Sequence, residues 1–245
     1  FRRERPPAGR TALKREEFDR FADEYTAVHA GNVRASGEDP AFFAEYKVLD
    51  LRRLALQTGA LERTRAGVIL DFGGGVGNST GFLAREFPRA LLLNVDVSIR
   101  SLRVARGRHR GGAQVAFDGA TLPLASGSVD AAMCACVFHH IPEDEHVAKL
   151  AELRRVLRPG GLLMVYEHNP LNPLTRRAVD TCPFDENARL IDAGSMRARF
   201  LQAGFGSAAI RYRLFFPHFA RRLRPLERYL HWLPAGAQYL VYATR

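Results

Sequence analysis

Residues 68–80 read VILDFGGGVGNST. A continuous apolar run ends in one acid, Asp71, and glycines follow at 73, 74, 75 and 77. A short apolar run bounded by turn residues predicts a buried strand. A glycine-rich turn after such a strand can cradle a pyrophosphate, admit another nucleotide cofactor, or only turn the chain. The spacing narrows the choice. A dinucleotide fingerprint needs Gly-x-Gly-x-x-Gly, its third glycine letting helix and strand pack closely. Read from Gly73 or from Gly75, that third position is Asn78 or Thr80, so the fingerprint fails. What stands is Gly73-x-Gly75-x-Gly77, preceded by Asp71 at the strand end.

Outward from this stretch, strand and helix patterns alternate. Val68 to Phe72 predicts a strand and Asn78 to Phe87 a helix; Leu91 to Val95 is a second apolar strand. Ser98 can cap a helix to about Gly107, Gln114 to Phe117 is a short strand, and Val129 to Phe138 a strand ending in His139-His140. Glu143 to Leu157 predicts a helix closed by Arg158-Pro159-Gly160-Gly161, and Leu162 to Glu167 another strand. Fully apolar strands alternating with helices imply a parallel sheet covered on both faces, an α/β doubly wound fold.

Upstream, Phe18, Phe21, Ala22, Tyr25 and Val28 recur at helical spacing within Lys14 to His29, and a second helix is expected from Pro40 to Thr58 with Gly59 as its stop. Residues 1–60 are therefore expected to form a helical cover, and 61–245 the main domain. Past Glu167 the rhythm breaks. HNPLNPLTRRAVDTCPFDE is too long for an idle connector and predicts a lid or substrate loop at about 168–190. A helix at Met196 to Ala203 and strands at Ala208 to Phe215 and Gln238 to Ala243 finish the chain. Between those strands Phe219, Leu223, Leu226 and Leu230 predict a basic amphipathic helix at about 217–232, interrupted by Pro225.

With these landmarks in order, the sequence resembles the class I S-adenosylmethionine-dependent methyltransferases over roughly residues 14–170. The glycine loop is similar to that family's motif I, Asp96 ends the second strand in LLLNVDVS, and Asp118 follows the third in AFDGATLPLASGSVD. ELRRVLRPGGLLMVYE looks like the family's helix, turn and fifth strand. The resemblance implies a Rossmann-like methyltransferase fold that binds S-adenosylmethionine and releases S-adenosylhomocysteine. It implies that Asp71, Gly73, Gly74, Gly75 and Gly77 approach the amino-acid end of the cofactor. It places Asp96 and Val97 at the ribose, and Asp118 and Gly119 at the adenine. A carboxylate suits the ribose because it accepts from two neighbouring hydroxyls.

Methyl transfer is an in-line displacement whose activation comes from the cofactor, so the protein aligns the nucleophile and, where needed, removes its proton. His139 and His140 after strand four suit a base for a hydroxyl nucleophile, or serve structure alone. Tyr25 and His29 share one face of the first helix, where the family often folds over its cofactor; the same face can simply pack on the sheet. Glu167 and His168 follow strand five at the pocket mouth. Asn169-Pro170-Leu171 lacks the second proline and the aromatic of the Asn-Pro-Pro-aromatic motif of amino methyltransferases, so that role is not carried over. Asp185 and Glu186 are substrate contacts or a cap for the next helix. A metal-dependent catechol-type site would want carboxylates where the histidines stand, so a metal-free mechanism is expected.

Composition sets the outer limits. Of 245 residues 47% are hydrophobic and 25% charged, ordinary for a globular protein, and no apolar run approaches the ~18 residues of a membrane span. FRRERPPAGR has no apolar segment behind it and does not read as a secretory signal. Cys134, Cys136 and Cys182 are too few and too odd for a disulfide framework, which points to a reducing, cytoplasmic setting. Cys134 and Cys136 are expected on opposite faces of a strand as apolar packing. The net charge is +10. Arg197, Arg199, Arg211, Arg213, Arg221, Arg222, Arg224, Arg228 and Arg245 face one acid of the tail, Glu227. A small-molecule acceptor, with oxygen ahead of nitrogen or carbon, leads over RNA and over a lipid at a membrane surface; the oligomeric state is left open.

Overall fold

The computed structural model describes Asp19 and residues 37–61, 66–109, 111–182, 185 and 187–245. The expected helix from Lys14 to His29, Asp19 apart, lies outside them, and so do Tyr25, His29 and Glu186. Strands β1 (Val68–Phe72), β2 (Leu91–Asp96), β3 (Ala113–Ala116), β4 (Val129–Ala135), β5 (Leu157–His168), β6 (Ala209–Arg213) and β7 (Gln238–Thr244) form one sheet in the order β3-β2-β1-β4-β5-β7-β6. The first five are parallel, and β7 runs antiparallel between β5 and β6.

Alternation along the strands divides the core in two. Ile69, Met133, Met164 and Tyr166 meet Leu51 and Leu54 of α1 (Pro40–Thr58) and Leu83 of α2 (Thr80–Glu86). Leu70, Ala132 and Leu163 face Leu150 and Leu153 of α4 (His146–Val156) and Met196 and Phe200 of α6 (Ala193–Gln202). Each fully buried large side chain stabilises the layers by roughly 2 kcal/mol. Helix α3 (Ile99–Arg108) packs along β2 and β3. The doubly wound sheet is thus as expected, and α1 starts and stops as read: the Asp39 side chain accepts from Ala41 N, and Gly59 closes the helix at φ 72°.

Local expectations fail where a side chain or an unusual backbone overrides the pattern. β4 ends at Ala135 rather than Phe138, because Cys136 takes a left-handed φ of 59° and the Val137 and Phe138 N–H groups turn to Glu167 Oε1. His139 and His140 therefore sit in a 3-10 turn. The Arg158-Pro159-Gly160-Gly161 segment lies inside β5 as an irregularity opposite Val129–Ala131, where Arg158 pairs with Asp130; the helix has already stopped at Val156. The expected loop at 168–190 contains a helix, α5 (Pro173–Asp180), capped by the Asn172 side chain on the Leu174 and Thr175 N–H groups. The tail helix is broken into a 3-10 stretch (His218–Leu226) and the short α7 (Glu227–Leu230), with a non-helical Ala220 and Pro225 inside.

Candidate active site

The glycine loop joins β1 to α2 at the carboxyl edge of the sheet, where strand order reverses between β1 and β4. In open parallel sheets that edge is where ligands bind. Gly73, Gly75 and Gly77 all have left-handed φ, 69°, 52° and 78°, whereas Gly74 does not. The every-second-residue spacing is thus the spacing of left-handed backbone, which side chains resist. Space adds to this: a Cβ on Gly73 would lie 2.6 Å from Val137 Cγ2, and one on Gly74 would collide with Asn94 Oδ1 and Asp71 Cγ. The Asp96 carboxylate ties the loop to β2, accepting from Gly75 N at 2.9 Å and Ser98 N at 2.8 Å.

Beneath the loop the acids are poorly compensated. Asp71 is buried, and its Oδ2 has no hydrogen-bond partner. Burial, with the negative Asp96 adding to it, pushes the Asp71 carboxyl up to about 7, against the pull of Lys47. Burial also raises Asp96 despite its backbone donors. The register places Asp71, Asn94 and Gln114 side by side across β1, β2 and β3, where they line a small cavity. Asn94 Oδ1 and Gln114 Nε2 lack partners there as well. This polar row was missed by sequence reasoning; its signal was one amide inside each apolar strand, LLLNVD and AQVA. At the end of β3, Asp118 is exposed and caps the next turn through Ala120 N and Thr121 N, which lowers its pKa. Half-buried Val97 and Gly119, with φ 80°, stand beside these two acids. An orphaned buried acid under a glycine-rich loop fits a ligand bearing a cationic amino-acid end, as S-adenosylmethionine does.

The other half of the edge is a closed network. Glu167 is wholly buried; its Oε1 accepts from Val137 N and Phe138 N, and its Oε2 lies 2.6 Å from His139 Nδ1. His139 Nε2 faces Asp185 Oδ1 at 3.4 Å, and His140 Nε2 faces the same oxygen at 3.5 Å. Burial opposes a charge on His139, but Glu167 and then Asp185 outweigh it and raise the ring to about 10. Burial, followed by the charge on His139, presses His140 down to about 3. Burial works to raise Glu167 and Asp185, yet His139 holds both low, Asp185 at about 2. Asp185 does not cap the following helix; Asp192 does, accepting from Ser195 N.

His168, paired in register with Gln238, packs its ring 5.3 Å from that of His139. Beside it, Cys136 is not apolar packing on a strand face. Its Sγ lies 3.4 Å from Lys47 Nζ of α1 and 3.7 Å from Gln238 Nε2. Burial alone would push this thiol up, but Lys47 and then His168 bring it down to about 7. Tyr46 donates to Gln238, Tyr166 donates to Asp50, and Arg213 holds Asp50 at 2.7 Å, so α1, β5, β6 and β7 meet here. Lys47, Cys136 and Gln238 are far apart in sequence, and no spacing could have assembled them.

Fold and site together define a Rossmann-like domain built to hold a cation-bearing nucleoside cofactor. A family model described as a methyltransferase domain matches residues 70–165. The chain is 32% identical over 165 residues to a ubiquinone/menaquinone biosynthesis C-methyltransferase of Syntrophotalea carbinolica, covering 64% of this chain and 62% of that protein. It is 33% identical over 160 residues to a trans-aconitate 2-methyltransferase of Azoarcus sp., covering 64% and 58%. A crystal structure of a SAM-dependent methyltransferase from Thermotoga maritima, titled a possible histamine N-methyltransferase, aligns with TM-score 0.63 at 20% identity over 94% of this chain and 98% of that one. Residues 70–165 form a methyltransferase domain, and the chain is similar there to S-adenosylmethionine-dependent methyltransferases. It spans about half the length of curated relatives it matches, from 44% to 62%.

Proposed function

We propose that this protein transfers a methyl group from S-adenosylmethionine to a small-molecule acceptor, with an oxygen nucleophile ahead of nitrogen or carbon, in a cytoplasmic setting. The observation that carries the reading is the orphaned, buried Asp71 under the glycine loop, with Asp96 and Asp118 at the two neighbouring strand ends. Asp71 and the loop would take the amino-acid end, Asp96 and Val97 the ribose, and Asp118 and Gly119 the adenine. When bound, the cofactor supplies an activated methyl on a sulfonium.

What remains for the chain is to orient the acceptor and take its proton. His139 has carboxylates at both ring nitrogens and His140 is turned to Asp185, so neither is offered to an acceptor. We assign the proton-accepting role to His168, whose half-buried ring stands at the end of β5 beside Cys136 and Gln238. The segment ahead of residue 60 is proposed to cover the cofactor, in keeping with Asp19, which accepts from Ser98 Oγ at 2.6 Å next to Asp96. Names among the relatives include carbon and nitrogen methyltransferases, so they do not choose the acceptor atom.

Three of the nine tail arginines are taken up in ion pairs, which leaves less of the basic tail to an RNA. Arg199, Arg213 and Arg224 pair with Glu143, Asp50 and Glu38. Among the described residues no helix is long and apolar enough to cross a membrane. The test is methyl-labelled S-adenosylmethionine offered with a panel of hydroxylated small molecules, with RNA and with anionic lipid vesicles. Label entering the small molecules, and lost in Asp96→Ala, supports the reading. Label entering only RNA or lipid overturns it.

A further inference from the structure

We propose that His139, His140 and Asp185 bind one divalent transition-metal ion of the zinc class. The ligand atoms of these side chains all lie within 4.8 Å of one another. A tetrahedral ion with arms of 2.0–2.1 Å sets its ligands about 3.4 Å apart. The separations of 3.4 Å from His139 Nε2 to Asp185 Oδ1 and 3.5 Å from His140 Nε2 to Asp185 Oδ1 already match that edge. The third pair, His139 with His140, falls within the same 4.8 Å.

The surroundings are those of a metal site. The side chains are 1%, 17% and 12% exposed for His139, His140 and Asp185, so little water competes for them. Glu167 engages the far nitrogen of His139 at 2.6 Å and is itself fixed by Val137 N and Phe138 N. A carboxylate on the far side of a histidine ligand selects its tautomer and sets its orientation. Two imidazoles with one carboxylate suit zinc, cobalt, nickel or copper, whereas magnesium and calcium prefer all-oxygen sets. The ion would replace the proton on His139 Nε2, which is released to solvent, so both carboxylates keep a positive partner.

The ion would act as a clip. His139 and His140 come from the turn after β4, and Asp185 from the segment after α5, which is joined there by the bond from Arg189 N to His139 O at 2.9 Å. Metal binding would lock that segment onto the strand ends, with no part in breaking the bond from sulfur to methyl. It stands apart from the methyl-transfer reading, which needs no metal.

The experiment is calorimetric titration of zinc chloride into the chelator-treated full chain, beside His140→Ala and Asp185→Asn, with S-adenosylmethionine binding measured on each. One ion per chain is expected, bound at least tenfold more weakly by each variant while cofactor binding persists. No zinc binding by the wild-type chain, or wild-type affinity retained in both variants, would overturn the site and leave the cofactor reading untouched. Because a variant can misfold, cobalt is also added to the wild-type chain alone. A tetrahedral spectrum with nitrogen and oxygen donors is expected, and that of octahedral, water-ligated cobalt would sink the proposal.

Discussion

The two halves of the carboxyl edge are built on opposite principles. At β1–β3 the side chains leave polar atoms without partners: Asp71 Oδ2, Asn94 Oδ1 and Gln114 Nε2. Beyond β4 and β5 the charges answer one another, Glu167 to His139 and Asp185 to both histidines, and nearby Asp50 of α1 answers Arg213 of β6. The first half is incomplete without a ligand, and the second holds itself together. The difference teaches that unsatisfied polarity marks the binding half, while satisfied polarity makes a rigid wall against which an acceptor can be oriented.

The largest effect is expected in the wall. Glu167→Gln should strip a buried His139 of the nearer of its two carboxylates and cost about 3 kcal/mol in urea unfolding. A change near zero would break the idea that this half is self-supporting. Next comes the cofactor half. Asp96→Ala should weaken S-adenosylmethionine by about 100-fold in calorimetry, the worth of two charge-assisted hydrogen bonds. Unchanged affinity would remove the ribose assignment.

A gentler probe uses pH. Asp71 takes its proton as pH falls through about 7, and only the ionised carboxylate favours a cationic amino-acid end. Cofactor affinity should therefore rise by about tenfold between pH 6 and pH 8. Asp71→Asn should flatten that rise, and a slope that survives would place the titrating group elsewhere. The smallest effect concerns Cys136. With its thiol at about 7 because of Lys47, Lys47→Met should slow alkylation of the Cys136 peptide at pH 7 by about tenfold, read by mass spectrometry. An unaltered rate would mean that Lys47 does not set the thiolate.

The same contrast explains what could be read in advance. The cofactor half is local: strand, glycine loop and helix follow one another, and Asp96 and Asp118 come just after successive strands, so the family resemblance could be laid onto them residue by residue. Helix α1 was legible from its first residue, Pro40, to its stop at Gly59, though the Asp39 cap was not read. The wall is non-local. Lys47 arrives from α1, Cys136 from beyond β4 and Gln238 from β7, brought together by the pairing of β5 with β7 and by a left-handed turn at Cys136. The histidines were found as a motif, but their meaning depends on Glu167 and on Asp185, whose contact with them was not foreseen among the readings of substrate contact or helix cap, because a tertiary contact leaves no local mark.

The central claim is that the loop at Gly73–Gly77 serves a methyl donor and no dinucleotide. Calorimetry with S-adenosylmethionine and NAD on the same preparation tests it most directly. Saturable binding of S-adenosylmethionine with no heat from NAD is the predicted result, and binding of NAD alone would contradict it.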